Sequence, residues 1–225
     1  MKRSARGFTL IEVLVAIFIM ALMAGLAWQG VDGIVRTRDA SQQRLDQALR
    51  LNTVLAQWEQ DLSNIQDTTL LPRPLACDGA AVRFTRRVDD GIRIVVWALR
   101  PDAAGVEAAG SVLERWAGPV VTTSAALQDS WLASLQLQGT EPGQLRVLSG
   151  LAQWQVYFFR GNAWTNCQST GDLAAAAPPP PPASAASGAV AAAREELPSG
   201  VRLVLTFGTA GGLAGTLTRD SLLDP

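Results

Sequence analysis

Few residues in this chain have types and spacings that suggest chemistry, and most of those stand alone. Glu12 is a carboxylate at the head of the uncharged run Val13 to Trp28, VLVAIFIMALMAGLAW. An acidic residue centred in a bilayer helix costs about 2.5–3.5 kcal/mol on insertion scales, so it needs a partner or a task. Histidine is absent from the chain, which removes the commonest general base and the commonest metal ligand together. Lys2 is the only lysine, and no G-x-x-x-x-G-K-[ST] loop is present to cradle a nucleotide. Asp89-Asp90-Gly91 invites a calcium reading, but calcium takes about six to eight oxygen ligands. The neighbouring sequence offers few more carboxylates, so a turn is expected there. Nowhere do carboxylates cluster at acid/base spacing. The expectation is a protein that is not an enzyme, with no catalytic residue, no metal site and no cofactor.

The two cysteines, Cys77 and Cys167, form no C-x-x-C pair, which argues against a redox motif or a thiolate metal site. If the body is exported, a disulfide between them is the natural reading, since oxidising compartments permit it. The alternative is two unrelated buried thiols. The length of 225 residues suits one folded domain with appendages. A net charge of -1 gives no electrostatic reason for a nucleic-acid partner.

The elements that position Glu12 start with the apolar run. From Phe8 to Trp28, at about 1.5 Å per residue, a helix covers roughly the 30 Å hydrocarbon core of a bilayer. Lys2, Arg3 and Arg6 would hold the N-terminus in the cytoplasm by the positive-inside rule. A secretory signal peptide has similar basic and apolar parts, and Gly25-Leu26-Ala27 supplies a small-x-small cleavage pattern. Against that reading, the run is long for a signal core, and a signal core has no use for Glu12.

The order of basic leader, Gly7, Phe8-Thr9-Leu10-Ile11-Glu12 and apolar helix resembles the type IV prepilin and pseudopilin signature. The resemblance implies cleavage between Gly7 and Phe8 by a prepilin peptidase, and N-methylation of the new Phe8 amine. It also makes Glu12 the carboxylate that serves assembly. Packing many such stems side by side buries each Phe8 amine, and an unpaired buried ion is heavily penalised, so each amine favours a neighbour's Glu12. Two other readings of Glu12 stay open: it snorkels to the interface, or it pairs with its own amine.

Further along, no proline occurs before Pro72, so one helix can run well beyond the apolar run. Leu51, Leu55, Trp58, Leu62 and Ile65 recur at helical steps and form a stripe for a sheet to pack against, with Arg50, Gln57, Glu59, Gln60 and Asp61 expected largely off that face. From Ala81 the period becomes two. Ala81 to Arg87 and Ile92 to Arg100 flank the Asp89-Asp90-Gly91 turn. Further strands are expected at Val112 to Trp116, Leu145 to Leu148, Gln153 to Arg160, Val201 to Phe207 and near Gly215 to Arg219. Residues 174–193 are rich in alanine and proline, with five consecutive prolines from Pro178 to Pro182; a loop or linker is expected there.

The stem GVDGIVRTRDASQQRLDQALRLNTVLAQWEQDLSNI, with LSGLAQWQVYFFRGNAW, LPSGVRLVLTF and GTLTR, resembles the J-type minor pseudopilins of the type II secretion system. That resemblance implies an α+β, type IV pilin-like fold: a long N-terminal helix, half transmembrane and half amphipathic, packed on an antiparallel β-sheet. The corresponding organisation is a cleaved leader 1–7, a transmembrane helix 8–31, a periplasmic helix 32–70 and a β-rich periplasmic domain 71–225. Implied partners are the I-type, K-type and H-type minor pseudopilins, the major pseudopilin, the prepilin peptidase and the inner-membrane assembly platform. The implied location is the inner membrane, single-pass, with the N-terminus cytoplasmic and the body periplasmic until it moves into the pseudopilus. The rival within the class is a minor pilin of a type IV pilus serving motility, adhesion or DNA uptake. A rival outside it is an exported soluble module cut after Ala27.

Overall fold

The computed structural model describes residues 7–71, 73–102, 110–168, 196–208 and 212–223. The basic leader residues and the 174–193 insert lie outside the described residues. The chain divides into two compact units, Met1–Ala48 and Leu49–Pro225. Helix α1, Leu10–Ser63, contributes to both.

In the first unit the apolar side chains of α1 have nothing to pack on. Leu10, Ile11, Phe18, Met20, Met23, Leu26 and Trp28 are each exposed by more than half, the opposite of what water favours at about 25 cal/mol per Å² of apolar surface. Asp32 and Arg36 pair one turn apart. Thr37 and Ser41 donate their hydroxyls to carbonyls four residues back, each at 2.9 Å, a local satisfaction suited to a segment without side-chain partners.

The second unit is a sheet with a helix on each face. Its strands are β1 (Leu75–Cys77), β2 (Ala81–Val88), β3 (Gly91–Pro101), β4 (Ser111–Ala117), β5 (Gln144–Arg160), β6 (Ala163–Asn166), β7 (Gly200–Phe207) and β8 (Gly215–Leu222). All described pairings are antiparallel, in the order β1-β2-β3-β4-β5-β7-β8, with β6 paired to β5. A long N-terminal helix followed by an antiparallel sheet is the pilin-like α+β arrangement.

Strand alternation sends Val82, Phe84, Val95, Trp97, Trp154, Val156, Phe158, Leu203 and Leu205 into one core with Val54, Trp58 and Leu62 of α1. Trp58 sits at its centre, edge-on to Trp97 at 5.4 Å and to Trp154 at 6.5 Å. Truncating a side chain of this size to alanine costs about 3–5 kcal/mol. The opposite face carries Ile94, Val96 and Trp116 against Leu127 of α2 (Ser124–Ser134). Thr123 caps α2 by accepting from the Ala126 amide at 3.3 Å, which satisfies one of its unpaired N-terminal donors.

The structure differs from sequence expectation at three places. Helix α1 stops at Ser63, not at residue 70, because Ile65 bridges to Arg86 and the Gln66 amide donates to Thr85. Leu145 to Leu148 and Gln153 to Arg160 belong to one strand of 17 residues, β5. Gly150, in the gap between the two expected strands, sits inside that strand at φ 77° while the pairing shifts register on both flanking strands, as bulges do. The third difference is Asp61, which lies on the buried face of α1 and not off it.

Candidate functional site

Thr9 and Glu12 set the N-terminus of α1. The Thr9 amide and hydroxyl both donate to Glu12 Oε2, at 2.9 and 2.8 Å, and the Glu12 amide donates back to Thr9 Oγ1 at 3.4 Å. This is a reciprocal capping box, in which residues three apart satisfy each other's open amides. The carboxylate also faces the positive end of the helix dipole. An amide without an acceptor in lipid costs several kcal/mol, so a cap made by the chain itself is well suited to a helix about to enter hydrocarbon. Among the described residues Glu12 Oε1 accepts no hydrogen bond, so one carboxylate oxygen stays open.

Gly7 and Phe8 precede the helix in non-helical backbone. Phe8 is 90% exposed, and a Cβ built on Gly7 meets nothing within 4 Å. Packing within this chain therefore does not demand glycine at position 7. Both residues flanking the Gly7–Phe8 bond are exposed.

Asp61 forms a second polar constellation, inside the second unit. It is fully buried and carries five donors. Arg115 binds it with two, Nε to Oδ2 at 2.6 Å and Nη2 to Oδ1 at 2.9 Å. Trp97 Nε1 reaches Oδ2 at 3.0 Å, and Arg86 Nη1 and Gln57 Nε2 reach Oδ1 at 2.7 and 2.9 Å. The cluster ties the last turns of α1 to β2, β3 and β4. Such paired, hydrogen-bonded geometry is what a buried charge requires.

Cys77, at the end of β1, is bonded to Cys167, just after β6, with Cα atoms 5.7 Å apart. Trp154 Nε1 and Gln168 Nε2 donate to the carbonyls of Gly79 and Asp78 beside the bridge. Asp89 and Asp90 form the two-residue loop closing Val88 on Gly91. Among the described residues no group of three histidine, cysteine or acidic side chains is placed to hold a metal.

The prokaryotic N-terminal methylation motif matches residues 2–28. That stretch contains Gly7, Phe8, Glu12 and the apolar start of α1, so it supports a type IV pilin or pseudopilin, a structural class and not an enzyme class. No curated protein matches the chain. Helix α1 is long and apolar enough to cross a membrane, and none of its most apolar window is buried, which supports single-pass membrane anchoring.

The capping box was open to sequence reasoning, because Thr-x-x-Glu before an apolar run is its signature. Asp61 also carried a signal: it lies three residues after Trp58 and so shares its face. Its polarity placed it outside the stripe, and only the arginines of distant strands explain its burial.

Proposed function

We propose that this chain is a minor pseudopilin of the type II secretion system, seated in the pseudopilus tip complex where it primes assembly and helps export folded proteins across the outer membrane. The observation that carries the reading is the open Gly7–Phe8 bond next to a Glu12-capped apolar helix. The body motifs around β5, β7 and β8, which resemble the J-type family, support the narrower assignment. In this reading the leader is cut on the cytoplasmic side and Phe8 is methylated, which keeps its charge. Glu12 then has two tasks: Oε2 caps its own helix, and Oε1 receives the amine of a neighbouring stem. The pair sets register between subunits, since buried ion pairs add little net stability. The folded second unit lies in the periplasm.

Mass spectrometry of the mature N-terminus, with co-purification of I-type, K-type and H-type minor pseudopilins, tests the reading. Methylated Phe8 and recovery of those subunits are expected. A free Trp28 N-terminus would refute the class, and recovery with pilus subunits alone would refute the secretion assignment.

A further inference from the structure

The inner face of the β2–β3 hairpin holds an unbalanced charge that the fold does not need. Arg86 and Arg93 are direct cross-strand partners. Both lie on the α1 side of the sheet, in step with Phe84 and Val82 on one strand and Val95 and Trp97 on the other. Like charges placed directly opposite destabilise a sheet. Arg86 gives its Nη1 to Asp61, but its Nε is buried without a partner. Arg93 is half-buried, its Nε is buried without a partner, and it makes no ion pair among the described residues. Asp61 cannot serve it, since both oxygens are already engaged by Arg115, Trp97, Arg86 and Gln57. Asp89 and Asp90, at the nearby turn, are exposed and pair with neither arginine. A buried charged donor left open is costly, so the arginine pair stands to gain from an added acceptor.

We propose that half-buried Arg93, beside Arg86, is a receptor for an oxyanion, filled in the assembled filament by an acidic side chain of a neighbouring protein subunit. The filament part rests on the class reading; the anion site does not. Paired guanidiniums match the planar, two-oxygen geometry of a carboxylate, with phosphate the inorganic equivalent. The nearby C-terminal end of α1 favours cations there, which helps the empty site stay folded.

The test uses the full chain in detergent micelles, with arginine Nε–Hε signals followed while acetate or inorganic phosphate is added at constant ionic strength. Saturable shifts are expected at Arg86 and Arg93, and not at exposed Arg38 and Arg44. Arg93→Leu is expected to hold or raise the Tm without anion and to abolish the anion-dependent rise seen in the wild type. Equal, linear drifts at all four arginines would overturn the site, as would a lower Tm for Arg93→Leu or an unchanged phosphate response. In cells, Arg93→Glu should reduce recovery with filament subunits by at least ~10-fold, while Arg44→Glu leaves it unchanged. Normal recovery of Arg93→Glu alongside saturable anion binding would overturn the subunit carboxylate and leave a site for free anions. If wild-type chain brings down no filament subunit, the class reading fails, while the micelle titration still decides the site.

Discussion

Replacing Asp61 by alanine tests the tie between α1 and the sheet most directly. The substitution removes the acceptor of five donors and strands the Arg115 guanidinium, whose side chain is only 10% exposed. Breaking a buried pair from one side costs about 3–5 kcal/mol, because the remaining charge has neither partner nor water. Domains of this size shift by roughly 2–4 °C per kcal/mol, so the Tm should fall by about 6–20 °C. Urea unfolding of the full chain in micelles reads the change through Trp58, Trp97 and Trp154, all in the same core. The double variant Asp61→Leu/Arg115→Met should recover the part of the loss owed to Arg115, since an apolar pair of similar volume often replaces a buried ion pair at no net cost, while Arg86, Trp97 and Gln57 stay without their acceptor. A loss below about 1 kcal/mol for Asp61→Ala would refute the reasoning, because it would mean Arg115 finds water as easily as it found Asp61.

Other expectations follow from the same geometry. Glu12→Gln keeps a capping acceptor but loses the charge, whereas Thr9→Val removes the cap from the other side. Membrane insertion should survive both, and recovery in filaments should drop for Glu12→Gln alone; normal incorporation of that variant would refute amine pairing. Reducing the Cys77–Cys167 bond, which spans a separation of 90 residues, should lower stability by about 2–4 kcal/mol in denaturant titration; no change would show that the bridge does not constrain the unfolded chain. Burial pushes the Asp78 carboxyl upward, but the Arg83 side chain and the amides of Ala81 and Ala80 outweigh it and hold it below 3.8. A folded value below the unfolded one means stability that is present above pH 3.8 and lost as pH falls through the folded value. The stability gap between wild type and Asp78→Asn should therefore narrow in acid, and a gap that widens would contradict the assignment.

The parts legible in sequence were those where one physical signal acts alone. An uncharged run long enough for a bilayer, a stripe at helical spacing through Trp58, and alternation from Ala81 onward each follow from solvent exposure. Their boundaries blur where a second force enters. Gly150 falls between the two expected strands, but the sheet uses its tolerance of positive φ for a bulge inside one continuous β5. Helix α2 shows little because only Leu127, Ser130 and Ser134 are buried, with Trp131 half-buried beside them, too sparse a pattern to read. At the site, Gly7, Phe8 and Glu12 were visible because their order is local. The partners of Asp61 were not, since Arg86 and Arg115 reach it from 25 and 54 residues away.

The position of the disulfide has a consequence for how this chain tolerates change. The covalent ring closed by Cys77 and Cys167 contains β2 to β6 and ends just ahead of residues 169–195, where the alanine/proline insert lies. Lengthening or shortening that insert leaves the circumference of the ring untouched. The entropy removed by the bridge depends on ring size, so it stays constant whatever is added there. β7 and β8 lie outside the ring and rejoin β5 from its other edge by hydrogen bonds and by the core packing of Val201, Leu203 and Leu205. The fold thus separates a stapled part, where chain length is fixed, from a tethered hairpin whose connection is free to grow.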